Sequence, residues 1–310
     1  MPAAPEVSIV IPTRDRWSLL QAAIGAALRQ EEVEFEVIVV DDGSRDETPA
    51  RLGEIEDARL RILRNDESLG VARARNRGLA EARGTWTAFL DDDDVWSPRK
   101  LRAQLDAAAG ASFVYGSTLL LDRTRTPVRA LPAPDPSSLA RRLLLTNPIG
   151  GPSTFMARTE LLRRLGGFDE RLSALADWDL LIRLAGAGRG AACREFLVGY
   201  VQHGENMLAP DDDRSLGELD YLAAKHGESA KAAGVPFGAV WRSRWIALQH
   251  RRAGRRFRAA AALARGALAA RSFDNLVRAV GALAGEGVMR WGQRKRAGPP
   301  VSPDWLDKYR

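Results

Sequence analysis

The chain has 310 residues, of which 45% are hydrophobic and 28% charged, with a net charge of +6. These are values of a soluble globular protein with room for one large domain or two small ones. A single cysteine, Cys193, excludes an internal disulfide, fits a reducing compartment and reads as an inert core residue.

The first residues, Met1 to Glu6, lack a basic region and a long apolar run, and no stretch reaches about 18 apolar residues. Neither a signal peptide nor a transmembrane helix is expected. Val7-Ser8-Ile9-Val10-Ile11 is β-branched and almost wholly apolar, the pattern of a strand buried on both faces. Pro12-Thr13-Arg14-Asp15 ends it. Leu19, Leu20, Ala23, Ile24, Ala27 and Leu28 then form the stripe of a helix. A second buried strand, Phe35 to Val40, runs into Asp41-Asp42-Gly43-Ser44. A short helix over Thr48 to Glu56, a third strand over Leu60 to Leu63 and a helix over Val71 to Ala82 follow. Trp86 to Leu90 is a fourth strand, and it feeds four carboxylates, Asp91-Asp92-Asp93-Asp94. Ser97 and Pro98 predict the N-cap and first position of the next helix.

Beyond it, Ser112 to Leu121 reads as a strand or hairpin. Pro127, Pro132, Pro134 and Pro136 predict a stiff irregular loop, and Gly150-Gly151-Pro152-Ser153 a second one. Glu160 to Leu165 is a helix closed by Gly166-Gly167, and Asp177 to Ala185 is another. From about residue 211 the chain is helical and rich in Ala and Arg. Strands alternating with helices predict a parallel α/β sheet, whose ligands bind outside the carboxyl ends of the strands. Thr13–Asp15, Asp41–Ser44 and Asp91–Asp94 all fall on that rim. Four adjacent carboxylates repel one another. A hard divalent cation carrying phosphates relieves this, so the acidic run points to a metal–phosphate site rather than a solvated loop.

These segments, in this order, resemble family 2 inverting glycosyltransferases of the GT-A fold. Val7-Ser8-Ile9-Val10-Ile11-Pro12-Thr13 comes first, then Val37-Ile38-Val39-Val40-Asp41-Asp42-Gly43-Ser44, then Ala74-Arg75-Asn76-Arg77-Gly78-Leu79. Phe89-Leu90-Asp91-Asp92-Asp93-Asp94, Gly166-Gly167-Phe168-Asp169-Glu170 and Asp177-Trp178-Asp179-Leu180 follow. The likeness covers residues 5–210. It implies a mostly parallel central sheet flanked by helices over 1–210, with a nucleotide-binding part about 1–96 and an acceptor part about 97–210. A basic helical extension, 211–310, lies outside it.

The resemblance also implies site residues. Asp42 would hydrogen-bond the nucleotide base, in a pocket lined by Pro12 and Thr13 with Arg14 and Asp15. Asp91-Asp92-Asp93 would be the DxD element, with Asp92 facing ribose or diphosphate and Asp93 on a Mn²⁺ or Mg²⁺ ion. Asp94 is open between a ligand and a supporting acid. His203 is a second candidate metal ligand, since a neutral imidazole can bind Mn²⁺ or donate to phosphate. Arg75 suits the diphosphate. Asp177 matches the catalytic base, although the Glu that usually precedes it is Ala176 here. Asp179 is its rival, or else a helix acid pairing with Arg183. The implied reaction moves a sugar from a nucleoside-diphosphate sugar, probed first as a UDP-sugar, to an acceptor hydroxyl. The acceptor class stays open among glycans, lipid-linked saccharides and small molecules.

Asp91-Asp92-Asp93-Asp94-Val95 also fits the motif of haloacid-dehalogenase-type phosphatases, with Asp91 as nucleophile and Asp93 assisting. That motif usually follows the first strand, however, and the reading leaves Asp42 and Asp177 unexplained. A catalytically degenerate nucleotide-binding module is a further alternative. A dinucleotide site is excluded, because no G-x-G-x-x-G follows the first strand. Between Trp241 and Arg296 there are 14 Lys+Arg and 2 acids, a net +12 that leaves −6 on the rest of the chain. This basic tail is expected either to pack as a helical extension or homodimer contact, with Trp241, Trp245, Phe257 and Leu263 in its core, or to rest on the inner face of a membrane. Nucleic acid is not an expected partner, and the expected location is cytoplasmic.

Overall fold

The computed structural model describes residues 4–202, 214–284 and 303–309. Two compact units emerge: Met1–Pro136, Ile149–His203 and Ser302–Arg310 make one, and Ser137–Pro148 with Gly204–Val301 the other. The expected division near residue 210 lies outside the described residues, and the two units interleave along the chain rather than meeting at one point.

In the first unit the strands are β1 (Val7–Thr13), β2 (Phe35–Asp41), β3 (Leu60–Arg64), β4 (Trp86–Phe89), β5 (Val95–Trp96), β6 (Phe113–Leu121), β7 (Pro127–Leu131), β8 (Phe155–Arg158) and β9 (Gly190–Val201). They form one sheet in the order β3-β2-β1-β4-β8-β6-β9-β5, with β7 also paired to β6. The β3-β2-β1-β4 half is parallel throughout. Beyond β4 the sheet is mixed: β8 runs antiparallel to both β4 and β6, and β9 runs parallel to β6. Every residue of β1 and β2 is buried, in keeping with their mostly apolar runs.

The first unit's helices are α1 (Trp17–Leu28), α2 (Thr48–Gly53), α3 (Val71–Glu81), α4 (Lys100–Ala107), α6 (Thr159–Arg164) and α7 (Ala176–Ala187); α5 (Pro136–Leu143) lies between β7 and β8. Helix α3 lies close on β1 because residue 78 is glycine: a Cβ there would come 2.3 Å from Val10 Cγ1. The C-terminal 3-10 turn, Asp304–Tyr309, returns to the same unit. Its Tyr309 hydroxyl donates to the Trp96 carbonyl at 2.8 Å, and Leu306 is fully buried.

Several expectations shift. Helix α4 starts at Lys100, not at Pro98, because Ser97, Pro98 and Arg99 close a turn in which the Lys100 amide donates to the Ser97 carbonyl. Pro127 opens a strand rather than a loop. It sits at the start of β7, on the sheet edge, where a missing N–H costs nothing. Strands β8 and β9 complete the sheet where the sequence showed none.

The second unit carries α8 (Arg214–Ala232), α9 (Ala239–Arg252), α10 (Arg256–Ala270) and α11 (Phe273–Ala284). Its buried cluster is alanine with Leu263, not the expected aromatics. Trp241 and Trp245 are only partly buried, and Phe257 is 66% exposed. Small side chains let these helices pack closely at little entropic cost. Among the described residues no helix is long and apolar enough to cross a membrane.

Candidate active site

The carboxyl ends of β1, β2 and β4 open on one rim, and the residues there hold one another in place. Asp15, with φ +52, accepts the Arg45 amide at 2.6 Å, while its own amide donates to Ser44 Oγ at 2.9 Å. These contacts tie the loop after β1 to the loop after β2, and the Arg45 amide in particular keeps the Asp15 carboxyl below its ordinary pKa. Pro12 is buried beside Val40, and Arg14 is exposed and pairs with Asp15 at 3.4 Å.

Asp42 is buried at the end of β2. Its two oxygens accept four hydrogen bonds: Asn65 Nδ2 at 2.6 Å, Ser68 Oγ at 2.8 Å, and the Leu69 and Gly70 amides at 2.9 Å. Burial pushes its pKa up, but these donors outweigh it and hold the group below the usual value. A carboxylate offers about four acceptor positions, so a nucleotide base that used Asp42 has to displace one of these donors. Gly43 makes the turn possible, since its φ is +75 and a Cβ would lie 2.8 Å from the backbone at Glu67 and Ser68.

The acidic run splits by direction. Asp92 turns inward, where it accepts the Thr13 hydroxyl at 2.8 Å and pairs with Arg16 at 3.4 Å. Burial first, then repulsion from Asp93, raises it to about 7. Asp91, Asp93 and Asp94 instead offer oxygens that lie within 4.8 Å of one another. The structure therefore sets Asp91 and Asp94 beside Asp93 and withdraws Asp92 from the group. Asp94 is 1% exposed, and its Oδ2 has no hydrogen-bond partner. Burial, then Asp93, pushes its pKa well up. His203 lies outside the described residues.

Arg75, from α3, is buried against this cluster. Its Nη2 stands 2.5 Å from Asp91 Oδ1, and its guanidinium lies 5.2 Å from the centre of the Phe168 ring. Phe168 stacks edge-on against Phe89 at the end of β4 and is clasped through its backbone by the Asn76 amide. The sequence segments around residues 76 and 167 meet here: Gly167, with φ +66, leaves room for Asn76.

Asp177 stands in the first turn of α7. Burial raises its pKa to about 7, the Trp178 amide and Arg75 oppose the rise, and Asp91 adds to it. Tyr200 on β9 reports the same convergence: burial first, then Asp94, Asp93, Asp91 and Asp177, push its phenol up. Asp177 and the acidic run thus lie within reach of one another's charge. Asp179 is engaged elsewhere. Fully buried, it holds Arg183 at 2.7 Å, and Arg183 in turn clamps the Leu165 and Gly167 carbonyls. Asp179 is the helix acid of the two alternatives.

The sequence did not single out Arg16, Ser153 or Tyr200. Ser153 Oγ accepts the Asp91 amide at 3.0 Å, and its carbonyl accepts Trp96 Nε1 at 2.9 Å, so it props the acidic turn from below. Tyr200 is brought in by the antiparallel pairing of β5 with β9, which sets Gly199 opposite Val95.

Residues 8–166 match the family model described as Glycosyl transferase family 2. The chain belongs to glycosyltransferase family 2. This glycosyltransferase is 34% identical over 215 residues to the succinoglycan biosynthesis protein ExoO of Rhizobium meliloti (strain 1021), covering 64% of this chain and 61% of that protein. It is 37% identical over 113 residues to the Escherichia coli UDP-Glc:alpha-D-GlcNAc-diphosphoundecaprenol beta-1,3-glucosyltransferase WfgD, covering 36% of this chain and 45% of that one. It thus spans less than two thirds of either relative. The crystal structure of S. aureus TarS 1-349 in complex with UDP-GlcNAc superposes with a TM-score of 0.56 at 17% identity, over 94% of this chain and 82% of that one. That likeness shows the GT-A fold. The phosphatase and binding-module alternatives find no support, and the acidic run of this glycosyltransferase follows β4, at the fourth strand rather than the first.

Proposed function

We propose that this glycosyltransferase is metal-dependent and inverting, and that it moves a sugar from a UDP-sugar to an acceptor hydroxyl with Asp177 as general base. One observation carries this reading: Asp177, buried and raised to about 7, feels the charges of Arg75 and of Asp91, a member of a carboxylate cluster whose oxygens lie within 4.8 Å of one another. A divalent cation fits the cluster. Asp94 Oδ2 is buried with no partner, and an all-oxygen donor set suits Mg²⁺ or Mn²⁺. Asp91, Asp93 and Asp94 would hold it. When bound, such an ion stabilises the charge that grows on a diphosphate leaving group.

The protein's own groups account for the rest. Asp177 takes the proton of the acceptor hydroxyl as that oxygen bonds to the anomeric carbon. The bond from that carbon to the phosphate oxygen breaks on the opposite face, and its electron pair leaves with the nucleoside diphosphate, so the configuration inverts. A carboxyl near 7 is matched to this task, because it is ionised at working pH yet basic enough to accept the proton. The Arg75 guanidinium pairs with Asp91 and offsets the repulsion that Asp91 exerts on Asp177. The UDP assignment rests on TarS structures titled with UDP and UDP-GlcNAc and on a relative named for UDP-Glc.

The test is Asp177→Asn. Donor binding stays within about threefold, while transfer falls by about 10²-fold or more, the usual worth of a general base. Full transfer by the variant moves the base elsewhere and sinks this reading.

A further inference from the structure

We propose that the α10–α11 hairpin is a docking surface for an anionic lipid bilayer. Phe273, Leu276, Val280 and Leu283 are 75%, 47%, 61% and 47% exposed. Their spacing of three, four and three residues places them on one stripe of α11. Among residues 273–283 these four are the exposed positions, and all four are large and apolar. The opposite side, Asn275, Ala279 and Ala282, is buried. A helix that meets water normally shows it charged or polar side chains. On α10, Leu268 is 79% and Phe257 66% exposed. An exposed apolar stripe of this kind marks a surface that something covers.

Charge says what covers it. Seven arginines between residues 251 and 271 are exposed, and no acid occurs in that stretch. The acid of α11, Asp274, is already held by Arg244 at 2.6 Å and Arg278 at 2.9 Å. Arg258 and Arg265 share the exposed face of α10 with Phe257 and Leu268, so a second copy meeting that face brings arginines toward arginines. A bilayer bearing phosphate headgroups satisfies both features at once: arginines meet phosphates while the apolar stripe enters the headgroup–acyl boundary. Helix α11 lies on such a surface, since no described helix can cross it.

The experiment is flotation of the full chain with phosphatidylcholine vesicles, with and without about 30% phosphatidylglycerol, in about 0.1 M and about 0.5 M salt. Two variants accompany it, Phe273→Ser with Val280→Ser, and Arg255→Glu with Arg258→Glu. All four positions are exposed, so the fold is retained, as circular dichroism checks. Binding is expected only with phosphatidylglycerol, to fall with salt, and to drop about tenfold or more in each variant. Binding that ignores both variants, or none to anionic vesicles, overturns the proposal. So does a concentration-dependent dimer in sedimentation that the apolar variant abolishes, which gives the stripe to a second copy. None of these readouts uses sugar transfer, so this proposal stands or falls apart from the reaction.

Discussion

Arg75 and Asp91 form an ion pair with Nη2 2.5 Å from Oδ1, and the same guanidinium lowers the Asp177 carboxyl against its burial. One guanidinium thus acts on both Asp91 of the acidic cluster and Asp177, the proposed base. Asp91 is fixed on its other side by Ser153, and Arg75 by its place over Phe168. The pair therefore joins three sequence segments, around residues 75, 91 and 168, into one unit.

Removing that cation has two consequences. Arg75→Met leaves Asp91 without its partner among like charges, which costs about 3 kcal/mol or more of stability, the usual result of breaking a buried pair. It also removes a term that holds Asp177 down, so the pH at which transfer reaches half its maximum moves up. Urea denaturation reads the first effect and a pH–rate profile the second; a profile that stays in place contradicts the role given to Arg75.

The pH profile of the unaltered enzyme follows from Asp177. A base must be ionised, and burial raises Asp177, the proposed base, to about 7. Transfer at limiting donor is expected to rise with pH through that region and level off above it. Asp177→Asn loses the limb with the activity, whereas Asp177→Glu, keeping a carboxylate, retains a limb at reduced rate. A limb that persists unchanged in Asp177→Asn assigns it to another group.

Metal should stabilise the fold in a pH-dependent way. Burial raises Asp92 and Asp177 to about 7, and burial with repulsion from Asp93 pushes Asp94 well up, against about 3.9 in an unfolded chain. Folded pKa values above unfolded ones mean that the native state binds more protons between about pH 4 and 7. Stability from these groups is then present at low pH and is lost as pH rises through the folded values. A cation at Asp91, Asp93 and Asp94 offsets that loss where the groups are ionised and must displace protons where they are not. Mn²⁺ is expected to raise Tm more at about pH 8 than at about pH 5.5. Equal shifts at both, or none, contradict a site at this cluster.

Lys100 offers a prediction about stability alone. It is fully buried, its Nζ lies 3.6 Å from the centre of the Trp96 ring without a hydrogen-bond partner, and burial pushes its pKa well down. Lys100→Met keeps the volume, and such swaps cost less than about 1.5 kcal/mol. Because it also removes the desolvation of an amine, Tm is expected to stay level or rise. A marked fall means that Lys100 has a partner that matters.

The half of the sheet made of mostly apolar runs, β1, β2 and β4, was legible because burial on both faces favours apolar residues at nearly every position. Strand β9 was not. Its register shifts near Gly116 and Ser117, where Cys193 and then Phe196 are paired, and the charged pair Arg194-Glu195 falls in the irregularity and breaks the pattern. In the site, the rim positions of Asp15, Asp42 and the acidic run could be read from strand ends. Which of four adjacent aspartates turn inward could not, because that depends on the tight turn in which the Asp94 amide reaches the Asp91 carbonyl. Tyr200 and Ser153 arrive through long-range pairing, which no local pattern records. Of the four core residues expected in the tail, Leu263 is inside, but close helix packing selects alanine around it and leaves Phe257 and the α11 stripe outside.

A metal–diphosphate site is tested most directly by calorimetric titration of UDP into the protein and into Asp93→Asn, each with Mn²⁺ and with EDTA. Binding to the unaltered protein is expected to weaken by about tenfold or more in EDTA and to be lost in Asp93→Asn in the presence of Mn²⁺. Equal UDP binding with Mn²⁺ and EDTA, or binding that Asp93→Asn leaves intact, contradicts a metal–diphosphate site at the acidic cluster.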